Sequence, residues 1–358
     1  MNRDKTCTLN IPGSMKVPKN QGEGSEPAIL EGSGPFSLMP KVYEYVEPKP
    51  VQWSCCPGWI IFYLFCIEGI SGALLLLYYC PTISEAYRSI QQITNILHYG
   101  WLIRGVHIWG VHLLVIAVVL HLAQKFISQG HRQVKRFPWI IGIVMMVLLS
   151  LFGATGHLLS WTQGSYWATT FITQLFAAIP LVGEPIKILI RGGNEISQIT
   201  LSRFFALHIL IAPIIFISLS RFHIVSANKS LIPSDLLFHV QILLVLIAVL
   251  FSLSTFFPPY IYPKADPFNS LLHIKPEWYF LASYETFLLL RKIHPNGQSL
   301  SVVLGILLHL GVLISLMVLP FFSSSATGEK QQRKFPALIL CILGLLILLT
   351  LTLLGAYS

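Results

Sequence analysis

Seven long apolar stretches constrain the fold of this 358-residue chain more than any other feature of its sequence. Each has about the 20 residues that an α-helix needs to cross the hydrocarbon core of a bilayer. Charged residues make up 11% of the chain, whereas soluble domains carry about 25%. The sequence therefore predicts an all-α integral membrane protein with seven transmembrane helices. The predicted spans are residues 57–79, 101–127, 138–160, 203–226, 236–257, 300–320 and 336–356.

The loops between these spans predict an orientation, because lysine and arginine are enriched on the cytoplasmic side of a membrane. The tail at residues 1–50 and the three loops on its side contain fourteen Lys and Arg residues, and the three opposite loops contain nine. The tail is therefore predicted to be an extension on the cytoplasmic, matrix or stromal side, here called the n side; the opposite face is the p side. The formal charge of +9 does not indicate a nucleic-acid partner, since the basic residues do not cluster with aromatic residues in a known binding motif.

Two of the spans carry histidines at intervals that place them on one helix face. In the second span, His107 and His121 are fourteen residues apart, which is just under four turns and about 21 Å along the axis. In the fourth span, His208 and His223 are fifteen residues apart, slightly over four turns. His112 is rotated by about 140° from His107 and belongs to another face.

These histidines are candidate haem ligands. Ionisable side chains inside a membrane are energetically costly, and a neutral imidazole is well suited to bind haem iron axially. Both spans run from the p side to the n side, so His107 is expected level with His208, and His121 level with His223. A single histidine in an apolar helix is often a satisfied interior residue. Four at matched depths favour two stacked haems clamped between the two spans.

Glycines repeat the same interval in two other spans. Gly58 and Gly72 are fourteen residues apart in the first span, and Gly142 and Gly156 are fourteen apart in the third. A glycine lets another body approach the backbone closely, and in membranes its common use is helix–helix packing. The repeated spacing favours flat macrocycles at two depths.

The p-side loops contain further candidate elements. Residues 164–180 are apolar and aromatic but too short to span, which predicts short helices lying across the p face. Glu277 stands directly before Trp278 and Tyr279. A carboxylate among apolar and aromatic residues should have a raised pKa, which suits it to accept a proton from a phenol-like donor. The alternative is an interfacial anchor, with the two aromatic residues as belt residues.

Several segments together resemble the cytochrome b family of quinol-oxidising complexes. They are GWLIRGVHIWGVH, LFGATGHLLSW, TTFITQLFAAIPLVG, LSRFFALH and ADPFNSLLHIKPEWYF, in the family's order and with its histidine spacings. The resemblance covers about residues 40–356 and is greatest to cytochrome b6 fused to its subunit IV. It implies a four-helix haem-binding part at residues 51–228 and a three-helix part at residues 229–358 that carries the PEWY loop.

The resemblance implies that two b-type haems are each held by two histidines. His107 and His208 would hold the p-side haem, and His121 and His223 the n-side haem. Arg104 matches an arginine that neutralises a propionate of the p-side haem.

The resemblance also implies two quinone sites. Glu277 and Tyr279 match the family's quinol-oxidation site on the p side. Asp235 resembles an n-side acid at the start of subunit IV, and either Asp235 or Lys229 is a candidate for proton uptake during quinone reduction.

Cys56 matches the position at which cytochrome b6 proteins attach a third haem through one thioether. The six cysteines form no CxxC or CxxCH motif, and the alternative for Cys56 is an ordinary cysteine next to Cys55. The chain departs from the family at three other positions. His157 and Ser160 stand where the family has tyrosine and proline, and Asn228 stands where cytochrome b6 proteins have an arginine.

As a whole, the resemblance implies the cytochrome b subunit of a bc1- or b6f-type quinol oxidoreductase in an energy-transducing membrane such as the bacterial inner membrane. Quinol would be oxidised on the p side, and electrons would cross through two haems with proton translocation. The implied partners are a Rieske iron–sulfur protein, a c-type cytochrome subunit, quinone, membrane lipids and a second copy in a homodimer. Two other classes remain open: a di-haem membrane anchor of another quinone-linked oxidoreductase, and a non-redox transporter whose histidines relay protons.

Overall fold

The computed structural model describes residues 56–128, 135–227, 236–269, 275–295, 297–318, 321 and 334–358. The predicted n-side extension lies outside these residues. So do Asn228 and the proposed n-side residues Lys229 and Asp235, as well as the side chain of Cys56.

Helices make up nearly all of the secondary structure in these ranges, which confirms the predicted all-α fold class. The helices are α1 (Cys56–Leu76), α2 (Ala86–Asn95), α3 (Gly100–Ser128), α4 (Arg136–Leu159), α5 (Gln163–Ala177), α6 (Gly183–Arg191), α7 (Gln198–Ala206), a π-helical turn (Leu207–Ile211), α8 (Ala212–Ser226), α9 (Leu236–Phe256), α10 (Trp278–Ile293), α11 (Gln298–Val318) and α12 (Lys334–Tyr357).

The predicted spans correspond to helices of suitable length. Within the described ranges, six helical stretches are long and apolar enough to cross a membrane, and they coincide with the first six predicted spans. The seventh corresponds to α12, whose apolar part at Cys341–Tyr357 is shorter. Helix α5 has 15 residues and is too short to span, as its sequence predicted. Helices α2, α6 and α10 fall in stretches where no element was predicted.

The π-helical turn explains the longer histidine interval of the fourth span. It covers Leu207–Ile211 and includes His208. Because a π turn inserts one extra residue into an α-helix, the fifteen residues from His208 to His223 advance around the axis as fourteen α-helical residues do. The two histidine-bearing helices therefore present their rings in the same register.

Pairwise helix packing brings the candidate residues together. Helix α1 packs along α3, α4 packs along α8, and α9 packs on α3. Leu64, Leu114 and Leu250 are fully buried between α1, α3 and α9. Helices α3 and α9 approach each other closely at Gly105, where a Cβ atom would lie 2.7 Å from Cβ of Ser254.

Hydrogen bonds join the turn before α5 to the segment that follows α9. The backbone N–H of Gln163 donates to the carbonyl of Pro263 at 2.8 Å, and that of Ala265 donates to the carbonyl of Trp161 at 3.0 Å. The side chain of Thr162 caps α5. These bonds link the part of the chain that carries the histidines to the part that carries α10.

Candidate functional site

The four histidines that the sequence singled out form two facing pairs. The ring centres of His107 and His208 are 6.4 Å apart, and those of His121 and His223 are 6.5 Å apart. We call these the first and the second histidine pair. Each pair contains one residue of α3 and one residue of the helix that α7, the π turn and α8 form together.

These separations fit axial ligation of a haem iron. Two iron–nitrogen bonds of about 2 Å, with about 1.2 Å from each nitrogen to its ring centre, place coaxial imidazoles about 6.4 Å apart. Among the described residues, no group of three or more His, Cys, Asp and Glu side chains is arranged to hold a metal ion. Each pair offers two facing imidazoles.

Each predicted glycine lies opposite one histidine. A Cβ atom added to each glycine would approach the Cε1 atom of one imidazole: at 3.6 Å for Gly58 and His121, 3.2 Å for Gly72 and His107, 3.3 Å for Gly142 and His223, and 2.6 Å for Gly156 and His208. The glycines thus make room for the imidazoles where α1 and α4 pack on the histidine-bearing helices. That they also make room for macrocycles stays a prediction.

Hydrogen bonds orient two of the rings through Nδ1. His208 Nδ1 lies 3.3 Å from the hydroxyl of Thr155, and His223 Nδ1 lies 2.9 Å from the carbonyl oxygen of Pro138. A bond at Nδ1 sets the orientation and tautomer of an imidazole and leaves Nε2 for a metal. Both partners are uncharged.

The Nδ1 atom of His107 has a different environment, which was not predicted from the sequence. It lies 2.9 Å from Oε2 of Glu68 and 3.0 Å from Oγ of Ser71. Glu68 belongs to α1 and is 9% exposed. The signal was available, because a lone acid inside an apolar span is a functional candidate by default.

Aromatic side chains lie between the depths of the two histidine pairs. The rings of Phe65 and Phe216 stack with centres 4.2 Å apart, and Phe152 contacts both at 6.0 Å. In sequence Phe65 and Phe216 lie about midway between the two glycines and the two histidines of their own helices, whereas Phe152 lies closer to the first pair, with its ring centre 5.8 Å from that of His208. The region between the pairs is therefore apolar.

A second group of polar residues gathers at the start of α10. Oε1 of Glu277 lies 3.5 Å from Nδ1 of His157. The indole N–H of Trp278 donates to Nδ1 of His112 at 2.8 Å, and the ring centre of Tyr279 is 6.2 Å from that of the same histidine. His112, placed on another face of its helix by its spacing, therefore faces the PEWY loop.

The protonation of this group is altered by burial. Burial raises the pKa of the Glu277 carboxyl, and the nearby His112 opposes the shift. Burial also raises the pKa of Tyr279, with a smaller contribution from Glu277. The ring of Tyr279 lies against Gly153, where a Cβ atom would be 3.2 Å away. A carboxylate with raised proton affinity beside an imidazole can accept a proton from a phenol-like donor.

Arg104, predicted to lie beside a haem propionate, is buried in α3. Its guanidinium donates to the carbonyl oxygens of Pro259 at 2.9 Å and Tyr260 at 3.2 Å. These bonds attach α3 to the segment after α9. The propionate contact stays a prediction.

The sequence matches two family descriptions. Residues 42–231 match cytochrome b/b6/petB, and residues 264–358 match cytochrome b (C-terminal)/b6/petD. A cytochrome b of Rickettsia prowazekii (strain Madrid E) is 32% identical over 83% of this chain and 78% of its own length. A cytochrome b6 of Synechococcus elongatus is 37% identical over 48% of this chain and 79% of its own length.

The fold is similar to that of a chain in a solved hyperthermophilic respiratory Complex III. The TM-score is 0.73 at 26% identity, and the match covers 86% of this chain and 85% of the other. The paired histidines and the glycines opposite them thus lie in a chain whose sequence and fold both match known proteins. The chain belongs to the cytochrome b/b6 family.

Proposed function

We propose that this protein is the haem-carrying subunit of a quinol oxidoreductase of the bc1 or b6f type. Residues 51–228 would bind two b-type haems, and residues 229–358 would contribute the PEWY loop. The observation that carries the proposal is the pair of facing imidazoles at two depths, 6.4 and 6.5 Å between ring centres. When bound, the haems would supply one-electron transfer across the membrane.

Quinol would be oxidised on the p side, near the start of α10. Glu277 is suited to accept a hydroxyl proton from the quinol, since its pKa is raised. His157 lies 3.5 Å from that carboxylate and would hold it in place at the start of α10. The hydrogen bond from Trp278 to His112 fixes the start of α10 against α3. Protons released in this way would leave on the p side.

We propose further components by analogy with the family. Cys56 would attach a third haem through one thioether. Asp235 or Lys229 would aid proton uptake where quinone is reduced on the n side. A Rieske iron–sulfur protein would accept the other quinol electron, a c-type cytochrome subunit would follow it, and the complex would be a homodimer in a bacterial inner membrane with the N-terminus on the n side.

A haem count tests this proposal. The purified chain should contain two b-type haems by pyridine haemochrome analysis. Replacing His121 with leucine should remove one of them. A matched control is His309→Leu, because His309 lies in α11 and its ring stacks on Phe287. Absence of haem in the wild-type protein would favour a proton-relaying transporter. Haem without quinol oxidation by the whole complex would favour a di-haem anchor.

A further inference from the structure

Glu68 is a buried acid that the reaction outlined above does not use. It lies in the interior of α1, and its side chain packs against the backbone of Gly110 in α3, where any Cβ atom would collide with it. In the described part of the chain, its one polar contact is with His107, at 2.9 Å. Removing a carboxylate from water is costly unless a partner compensates. The close approach at Gly110 gives this carboxylate a dedicated position beside the imidazole.

The contact between Glu68 and His107 would affect the basicity of the imidazole. If Nε2 of His107 bound the haem iron, Nδ1 would carry the proton and could donate it to the Glu68 carboxylate, 2.9 Å away. A carboxylate acceptor makes a ligating imidazole more basic. A more basic axial ligand and a nearby negative charge both favour ferric over ferrous iron, so the reduction potential falls.

The carboxylate lies at the first histidine pair. Among the rings with known Nδ1 partners, His208 faces the hydroxyl of Thr155 and His223 faces the carbonyl of Pro138. Neither group carries a charge. We propose that Glu68 is a positioning residue that polarises His107 and lowers the reduction potential of the haem at the first histidine pair. An electron that enters there is thereby driven toward the second pair.

This inference rests on the proposed function and is tested by the redox titration of each haem in the whole complex. Glu68→Gln keeps the shape and a hydrogen-bond acceptor but removes the charge. At a fixed ambient potential, the ratio of reduced to oxidised haem should rise at least tenfold for one haem, a shift of 59 mV for a one-electron couple. The ratio of reduced to oxidised haem should not change for the other haem. Its low-spin ferric EPR signal should also stay in place, while that of the affected haem moves.

Two control variants separate charge from packing. Glu285→Gln removes another buried glutamate, 2% exposed in α10, and should change neither potential. Ser71→Ala removes the neutral partner of His107 and should shift the potential by much less than Glu68→Gln. If Glu68→Gln does not assemble, Glu68→Asp withdraws the charge by one methylene and should raise the same potential to a smaller extent.

The outcomes distinguish the two proposals. A wild-type protein without two haems would overturn the proposed function. The role of Glu68 alone would be overturned if wild type and Glu68→Gln both contained two haems with equal reduction potentials. Where only Glu68→Asp assembles, the same result with that variant would overturn it. An equal shift in the reduction potentials of both haems would also overturn the role of Glu68, since the carboxylate lies at the first histidine pair only as a neighbour of His107.

Discussion

The glycine opposite His208 should be the most sensitive of the four to substitution. In Gly156→Ala, the new Cβ atom would lie 2.6 Å from Cε1 of His208 and 3.1 Å from its Nδ1. The ring cannot simply turn away, because Nδ1 faces Thr155. Overpacking of this kind costs about 1–3 kcal/mol. That exceeds the roughly 0.5–1 kcal/mol that alanine gains over glycine within a helix.

The other three glycines provide a graded series. The distances to the nearest imidazole carbon are 3.2 Å at Gly72, 3.3 Å at Gly142 and 3.6 Å at Gly58. Alanine at the first two requires shifts of a few tenths of an ångström, and alanine at Gly58 makes ordinary contact. At Gly69 in α1, an added Cβ atom would meet nothing within 4 Å, so Gly69→Ala is the matched control.

The series is measured by haem content and by thermal loss of the Soret band. Gly156→Ala should lose or weaken one haem, Gly72→Ala and Gly142→Ala should retain both with lower thermal midpoints, and Gly58→Ala and Gly69→Ala should match wild type or exceed it. An intact haem complement and an unchanged midpoint in Gly156→Ala would refute the assignment. So would equal losses in all five variants, because the distances predict a rank order.

Three further predictions concern the remaining candidate residues. Since Glu277 acts as a base only when deprotonated and its pKa is raised, quinol oxidation should increase with pH through that raised pKa, and Glu277→Gln should abolish this limb of the pH–rate profile. His157→Phe removes the polar partner of the Glu277 carboxylate and should lower the rate about tenfold, as expected when a hydrogen bond to a charged group worth about 1.5 kcal/mol is lost, while both haem spectra remain unchanged. Cys56→Ser should abolish any haem signal that survives denaturing electrophoresis while both b-type haems remain by haemochrome assay; a surviving signal would place the attachment elsewhere.

The histidine pairs could be predicted from sequence because their geometry depends on helical periodicity. An interval of fourteen residues within one helix fixes both face and depth, and the opposite orientation of neighbouring spans fixes which rings are level. The glycines followed from the same interval. The π turn could not be predicted, since nothing in Leu207–Ile211 distinguishes it from α-helix. It is nevertheless what brings the interval of fifteen residues into register.

The contacts between distant segments could not be predicted in the same way. His112 and Trp278 are 166 residues apart, and no periodicity links a residue in α3 to one at the start of α10. Their contact depends on how α9 packs on α3 and on the path of the chain from the end of α9 to the start of α10. The partner of Glu68 is likewise on another helix, although a lone acid in an apolar span was a signal that could have been used.

The helix packing suggests what each haem contributes to the fold. In the four-helix part, α1 packs along α3 and α4 packs along α8, whereas contacts between these two halves are sparse. Each half contains its own histidines together with the glycines that face them. Every facing pair of imidazoles takes one ring from each half. Coordination of iron at two depths would therefore add bonds across an interface with few direct contacts, and a ligand that binds only the assembled state stabilises that state. The haems would thus set the distance between the two helix pairs, and the same distance determines whether both imidazoles can reach the iron.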